Sequence, residues 1–147
     1  MAEVRPSSCS ASSEFGSGCC SCEKAFDGDL TDGWATQNEG VGAWIKVSLD
    51  KKYPLAKIAV MQRPFDDYFK DVSLEFSDGT SKKFTLPNTY PTKQWEEIDL
   101  TVYGDLITSD YVKISANSVY KKWNNGFAEI KVFTCATGKI QYLDNLE

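Results

Sequence analysis

The stretch DVSLEFSDGTSKKFTL, residues 71 to 86, carries the clearest indication of fold in this chain. In its first part, Val72, Leu74 and Phe76 alternate with polar residues, which is typical of a strand that buries one face. The turn sequence S-D-G-T (77–80) follows, and KKFTL (82–86) continues as a second extended segment. Two such segments joined by a turn of this composition predict an antiparallel β-hairpin.

Strand-like segments of similar length occur along the rest of the chain. They are WIKVSL (44–49), KIAVMQR (57–63), EEIDLTV (96–102), DYVKISA (110–116) and FAEIKVF (127–133). We find no segment of ten or more residues with a helical hydrophobic period, and the first 24 residues, rich in Ser, Gly and Cys, indicate a loop with a short strand near Cys9. Short strands at this spacing predict an all-β sandwich. The 147 residues, without an internal repeat or a linker, predict a single domain.

Composition and charge exclude several classes of function. The formal net charge is −5, whereas nucleic-acid binding normally requires a basic excess, so no nucleic-acid partner is expected. Histidine is absent, and the chain contains neither a phosphate-binding glycine loop nor a nucleophile elbow, so we predict that the domain is not an enzyme. No apolar run is long enough to span a membrane, and no signal-peptide pattern is visible at the start.

The five cysteines leave at least one thiol unpaired within the monomer. Because the ends of a sandwich chain often lie side by side, Cys9 and Cys135 are the predicted disulfide partners; free thiols in a reducing compartment are the alternative. Cys19, Cys20 and Cys22 are expected in one exposed loop. C-C-x-C without a histidine or a second cysteine pair is a poor zinc signature.

The stretch AFDGDLTDGW (25–34), which we call the aspartate loop, places Asp27, Asp29 and Asp32 within six positions. An EF-hand beginning at Asp27 would need Gly at position 6 and Glu at position 12, and it has Asp32 and Asn38 there. Two interpretations stay open. The carboxylates surround a cation together with Glu129, which interrupts an apolar strand, or they form Asx turns with backbone N–H groups.

An ordered series of segments carries a family resemblance. ASSEFGSG, KAFDGDLTDGWAT, GAWIKVSLDK, IAVMQR, DVSLEFSDGT, DYVKISA and NNGFAEIKVF resemble the pattern of the coagulation-factor type-C (discoidin) superfamily, which includes the family 32 carbohydrate-binding modules. The resemblance covers roughly residues 9 to 135. It implies a jelly-roll β-sandwich of about eight mostly antiparallel strands with binding loops at one end, and places residues 1–8 and 137–147 at the periphery.

The resemblance also implies a structural calcium ion in the aspartate loop. Asp27 would be a side-chain ligand, Asp29 would mainly give its carbonyl, and a further carbonyl would come from near Lys24. Asp32 stands where members commonly have Thr or Ser, and it should serve as an oxygen ligand. Glu129 matches the glutamate of the last strand. The expected cofactor is therefore Ca²⁺.

For a sugar site, the resemblance points to an arginine at the end of a strand and to polar and aromatic residues of the last loop. Arg63 matches the first, and Tyr120, Trp123, Asn124 and Asn125 match the second. An aromatic face stacks on the C–H patch of a pyranose, while arginine and asparagine bind its hydroxyls. The alternative for Arg63 is an ion pair with Asp66 or Asp67. The histidine of many galactose-binding members is missing.

These observations predict a non-catalytic module that binds glycans through loops at one end of the sandwich. The alternative is a protein-interaction or cell-adhesion domain on the same fold, without a glycan ligand. The loop RPFDDYFKD (63–71) matches a membrane-inserting region of some members, but its aspartates and the acidic chain argue against an anionic membrane. The expected partner is a glycan or an extracellular or cell-surface protein, and the resemblance favours an extracellular or cell-surface location.

Overall fold

The computed structural model describes residues 1–102 and 106–135, and the fold within them is almost entirely β-structure. The strands are β1 (Ala2–Val4), β2 (Ser8–Ala11), β3 (Trp34–Ala35), β4 (Trp44–Gln62), β5 (Asp71–Phe76), β6 (Ser81–Thr85), β7 (Trp95–Asp99), β8 (Ile107–Ala116) and β9 (Gly126–Thr134). One 3₁₀ helix, η1, spans Cys22–Phe26. No helix of the described residues is long and apolar enough to cross a membrane.

Strand β4 organises the fold because it pairs with different neighbours along its 19 residues. Its first part, from Trp44 to Ser48, lies between β2 and β8. Its last part, from Lys57 to Met61, lies between β7 and β9. Every strand pairing in the described structure is antiparallel. The chain therefore forms an open antiparallel sandwich, which confirms the predicted all-β fold.

The pairing of β4 also corrects one expected boundary. The sequence predicts two strands, 44–49 and 57–63, but the chain stays extended between them. The charged residues Asp50, Lys51 and Lys52 are exposed, and the register to β8 shifts between Ser48 and Tyr53. A bulge of this kind bends a strand and increases its twist without ending it.

The predicted hairpin of residues 71–86 is present as β5 and β6. Val72 pairs with Phe84 and Leu74 with Lys82, and β8 lies on the other side of β5. Val72, Leu74 and Phe76 are buried as the alternation requires. Burying each such side chain stabilises the fold by roughly 1.5–3 kcal/mol.

Three aromatic rings pack together in the core next to the loop 63–68. Trp34 and Phe127 are paired residues of β3 and β9, and Phe69 packs against both, with its ring centroid 4.9 Å from that of Phe127 and 6.2 Å from that of Trp34. All three side chains are fully buried. Because Phe69 follows the loop 63–68 directly, this packing anchors that loop to the core.

The two ends of the described chain meet in the sheet. Strand β1 pairs with β9, with Ala2 opposite Thr134 and Val4 opposite Val132. The first residues, expected at the periphery, thus form an edge strand whose Val4 packs against the core. The other peripheral segment, residues 137–147, lies outside the described residues.

The predicted disulfide between Cys9 and Cys135 is wrong. Cys9 is bonded to Cys22, Cys19 to Cys20, and Cys135 is free. The reason is topological: Cys9 lies on β2, whose neighbour is the start of β4, and its side chain faces η1, whereas Cys135 follows the end of β9. Cys22 is also buried, so the three cysteines expected in one exposed loop do not share that environment.

Candidate functional site

A short loop, residues 63–68, connects the end of β4 to Phe69, and the Gln62 side chain bonds the two ends of this loop together. The Gln62 side chain is buried; its Nε2 donates to the Phe69 carbonyl at 2.8 Å and its Oε1 accepts from the Phe69 N–H at 2.9 Å. This pair of bonds mimics a strand pairing across the base of the loop. The residues between, 63–68, lie at the same end of the sandwich as the segment 117–125 that precedes β9, because Phe69 bridges to Val119 and the Tyr120 N–H donates to the Tyr68 carbonyl.

Arg63 lies at the junction of these two segments. Its Nη1 donates to Asp67 Oδ2 at 2.7 Å and also to the main-chain carbonyl of Asn124. Of the two expected acidic partners, the structure thus selects Asp67, and Asp66 pairs with Lys121 instead, at 2.9 Å. Burial raises the pKa of the Asp67 carboxyl and lowers that of the Arg63 guanidinium, and their mutual attraction opposes both shifts.

Two exposed aromatic rings extend the cluster outward. The Arg63 guanidinium carbon lies 4.8 Å from the centroid of Phe65, and Phe65 meets Trp123 edge to face at 5.8 Å. The side chain of Trp123 is 50% exposed and that of Phe65 is 44% exposed. Trp123 also borders a shallow depression that Asp66, Lys121 and Lys122 line. Flat apolar rings beside charged groups form a surface that can stack on a sugar or receive an apolar side chain.

The two asparagines point inward rather than to solvent. Asn124 Oδ1 accepts from the Asn38 N–H at 2.8 Å. Asn125 Nδ2 donates to the Asp67 carbonyl at 2.6 Å and to the Lys121 carbonyl at 3.0 Å, while its Oδ1 accepts from the Trp123 N–H at 2.9 Å. Both residues are buried. Their amides therefore fix the loop, and the Asn125 side chain, which is fully buried, is not accessible to a ligand.

Tyr120 lies beside the same cluster. Its hydroxyl donates to the Leu86 carbonyl at 2.8 Å, and its N–H donates to the Tyr68 carbonyl. The ring is partly exposed, with Lys70 Nζ 5.6 Å from its centroid. The structure thus brings Arg63 and the four expected residues of the last loop together at one end.

The aspartate loop is held by Asx-type turns. Asp27 Oδ1 accepts from the Asp29 N–H at 2.9 Å, and Asp29 Oδ1 accepts from the N–H and the hydroxyl of Thr31 at 2.9 and 2.6 Å. The bonds from Thr31 hold the pKa of the Asp29 carboxyl below its ordinary value. These turns belong to one of the two interpretations that the sequence left open, and they occupy the Asp29 side chain.

Glu129 of β9 and Asp32 of the aspartate loop each carry a buried carboxylate oxygen without a hydrogen-bond partner in the described part of the chain. Glu129 is 3% exposed; its Oε2 accepts from the Gly28 N–H at 3.0 Å. Glu129 Oε1 and Asp32 Oδ1 are buried without a hydrogen-bond partner among the described residues. Burial raises the pKa of Glu129 to about 7, and the charges of Asp27 and Asp32 add to this effect. Burial likewise raises the pKa of Asp32.

The oxygen atoms of the loop are of the type that binds a divalent cation, but they do not all lie close together. Unpartnered buried carboxylate oxygens are ligands that calcium prefers. However, within the described residues Asp27, Asp32 and Glu129 do not form a set with oxygens all within 4.8 Å of one another. Lys24, expected to give a carbonyl, also places its Nζ 3.9 Å from Asp32 Oδ2.

Strand β9 links the two regions. Glu129 pairs with Met61 on β4, and Asn125 directly precedes β9. Glu129 follows Asn125 by four positions, which corresponds to about 13 Å of extended chain. Sequence reasoning missed Phe65 as a member of the cluster, and it left the choice between the two aspartates open, because the sequence does not show which side chains of a loop turn inward.

Comparison with protein families gives one family match. The model of the F5/8 type C domain matches residues 8–132. No curated protein matches the chain.

Several solved structures that resemble the chain are carbohydrate-binding modules of low sequence identity. The family 32 module from C. perfringens NanJ in complex with galactose is 19% identical, with a TM-score of 0.69, covering 89% of this chain and 97% of that one. A family 32 module from Clostridium perfringens in complex with GalNAc-β-1,3-galactose is 17% identical, with a TM-score of 0.73 over 90% of this chain and all of that one.

A third similar structure is chitosan-binding module 2 of a chitosanase/glucanase from Paenibacillus sp. IK-5, in complex with chitotriose. It is 18% identical, with a TM-score of 0.67, covering 88% of this chain and 97% of that one. At these identities the structural likeness shows the shared β-sandwich fold. The family match, which spans most of the chain, shows that the protein belongs to the F5/8 type C (discoidin) domain family.

Proposed function

We propose that the protein is a non-catalytic glycan-binding module whose ligand contacts the cluster of Arg63, Phe65 and Trp123. The observation that carries this proposal is the half-exposed ring of Trp123, which meets Phe65 edge to face, while Phe65 in turn lies over the partly buried Arg63 guanidinium. A pyranose would stack its C–H face on the indole, as aromatic platforms generally allow. The structural neighbours crystallised with galactose, GalNAc-β-1,3-galactose and chitotriose support this class of ligand.

Binding without catalysis suits the charges of this cluster. A glycosidase needs two carboxyl groups that face a cleft at a set separation. Here Asp67 is buried against Arg63, and Asp66 pairs with Lys121 on the surface. Both carboxylates of the loop thus have a cationic partner, which argues against their acting as a general acid and base.

A glycan array tests the proposal. Wild-type protein is expected to bind one class of glycan, and Trp123→Ala should abolish the signal because the stacking surface is lost. Val102→Ala is the matched control, because Val102 is also an exposed apolar residue. It follows β7, in which Trp95 pairs with Met61 near Arg63 and Asp99 pairs with Lys57 farther away. Val102 therefore lies at the opposite end from Arg63. Equal binding by both variants would contradict the assignment of the site.

A second candidate function is protein binding at the same surface. The observation that favours it is the engagement of Asn125 and of the Asn124 oxygen inside the loop, which leaves fewer polar groups for hydroxyl recognition than the sequence indicates. Exposed Phe65 and Trp123 are residue types enriched at protein interfaces. Silence across a glycan array, together with Trp123-dependent binding to an extracellular protein, would favour this function.

We also propose that the aspartate loop holds a structural Ca²⁺ ion. Asp27, Asp32 and Glu129 would supply carboxylate oxygens, and the carbonyls of Lys24 and Asp29 would complete the site. The unpartnered buried oxygens of Asp32 and Glu129 support this, since a divalent ion would satisfy both and offset their repulsion. When bound, the ion supplies charge compensation to the loop and takes no part in chemistry.

Thermal melting with calcium and with chelator tests the metal proposal. At 100 times its dissociation constant, an ion that binds only the native state adds about 2.7 kcal/mol to the free energy of unfolding. Asp27→Ala should remove this difference, whereas Asp110→Asn on β8 should keep it. A melting temperature that chelator does not change, in protein first freed of metal, would mean that hydrogen bonds alone hold the loop.

For location, we propose that the protein works outside the cell or at the cell surface. The two disulfide bonds, Cys9–Cys22 and Cys19–Cys20, support this because such bonds persist in oxidising compartments. Surface labelling of intact cells with an antibody to the domain is the direct test.

A further inference from the structure

We propose that Asp67 is the positioning residue of the binding surface: its buried carboxylate fixes the direction of the Arg63 guanidinium and holds the loop that presents Trp123. This inference rests on the glycan-binding function proposed above and specifies how that site keeps its shape. Asp67 itself is 1% exposed and would touch no ligand.

The carboxylate of Asp67 joins two segments that are distant in sequence. Its Oδ2 accepts from Arg63 Nη1 at 2.7 Å and from the Asn124 N–H at 3.2 Å. Arg63 Nη1 also donates to the Asn124 carbonyl. The three residues therefore form a closed set of bonds, in which the guanidinium cannot rotate without breaking two of them.

The main chain of Asp67 continues this connection to Trp123. Its carbonyl accepts from Asn125 Nδ2 at 2.6 Å, and Asn125 Oδ1 accepts from the Trp123 N–H at 2.9 Å. Phe65 touches both Arg63 and Trp123 from outside. The exposed ring is thus connected to the Asp67–Arg63 pair both through the backbone and through Phe65.

The environment of Asp67 argues that its charge has a use beyond folding. Its Oδ1 is buried and has no hydrogen-bond partner among the described residues. A buried ion pair with an unsatisfied oxygen adds little stability, and apolar residues of similar volume often replace such pairs without loss. Costs of this kind concentrate at functional sites, where a fixed geometry is needed.

The neighbouring Asp66 provides a matched control. It has the same charge one residue earlier, but its partner is Lys121 at 2.9 Å and both side chains are largely exposed. Asp66→Asn therefore removes one negative charge from the same loop and leaves every contact of Arg63 in place. Asp67→Asn removes the charge that faces the guanidinium and keeps the size of the side chain.

The experiment compares the two variants by NMR and by binding. In wild-type protein, slow rotation about the Arg63 Nε–Cζ bond should give separate signals for its Nη groups. Asp67→Asn should merge these signals and increase acrylamide quenching of Trp123, and Asp66→Asn should change neither. Titrated with galactose and with chitotriose, Asp67→Asn should bind about tenfold more weakly than Asp66→Asn.

The outcomes separate this inference from the proposed function. A single averaged Arg63 signal in the wild-type protein would overturn it, even if Asp67→Asn does not fold. Unchanged Arg63 signals in a folded Asp67→Asn variant would also overturn it. If the wild-type protein binds neither sugar, the choice of those sugars for the proposed site is wrong, while the Arg63 signals and Trp123 quenching still decide the role of Asp67.

Discussion

Replacing Glu129 with glutamine tests the electrostatics of the aspartate loop. Glutamine keeps the size of the side chain and an oxygen that can accept the Gly28 N–H, and it removes the ionisable group. The comparison is made in chelator, so that only the protein's own charges contribute. Asp27 and Asp32 remain and act in both proteins.

The expected magnitude follows from the pKa of Glu129. Burial and the neighbouring carboxylates raise this pKa from 4.5 to about 7, and each tenfold change in proton affinity corresponds to about 1.4 kcal/mol, so the full effect is about 3 kcal/mol. Because the native state holds the proton more tightly than the unfolded state, this stabilisation is complete below the unfolded pKa. It is lost as the pH rises through the folded pKa.

The assay is denaturant unfolding of both proteins at about pH 4 and about pH 8. Wild-type protein should lose about 3 kcal/mol relative to Glu129→Gln between the two conditions, because only the wild type must ionise a buried carboxyl. At the higher pH, saturating calcium should make the wild-type protein more stable than Glu129→Gln, since the Glu129 carboxylate then has a partner. A difference between the two proteins that is the same at both pH values would refute the reasoning.

Three further outcomes are expected. Cys22→Ser should lower the free energy of unfolding by about 3 kcal/mol, because the Cys9–Cys22 bond closes a loop of 13 residues; loss of stability in Cys135→Ser instead would contradict this pairing. Alkylation of unfolded, unreduced protein should label one thiol, Cys135, as mass spectrometry would show. Gly126→Ala should destabilise by about 3 kcal/mol, because a Cβ there would lie 2.0 Å from the Trp34 carbonyl oxygen. Gly40→Ala, whose closest contact would be the Lys122 side chain rather than backbone, is the control, and equal melting temperatures for the two glycine variants would contradict the close approach.

The fold could be predicted largely from local patterns. Alternation in residues 71–76 depends only on which side of a strand each residue faces, so Val72, Leu74 and Phe76 were correctly placed in the core. The continuous course of β4 could not be predicted in this way. Its central charged residues have the composition of a turn, and only pairing with strands distant in sequence keeps that segment extended.

For the candidate site, residue types predict which residues lie together but not where their side chains point. Arg63, Trp123 and the two asparagines do lie together, because strand ends and loops at one end of a sandwich converge. The sequence could not show that the asparagine amides turn inward, nor which aspartate faces Arg63. Likewise, the partner of Cys9 depends on which strand β2 joins, and that is a long-range pairing.

The continuity of strand β4 affects how the domain unfolds. The first part of β4 pairs with β2 and β8, and its last part pairs with β7 and β9. Neither set of neighbours can separate from β4 without exposing a segment that is covalently continuous with the other part. Opening in such a structure is expected to occur as one cooperative unit rather than in two independent steps. In native-state hydrogen exchange, the amides of Val47 and Val60, near opposite ends of this strand, should therefore exchange with the same opening free energy.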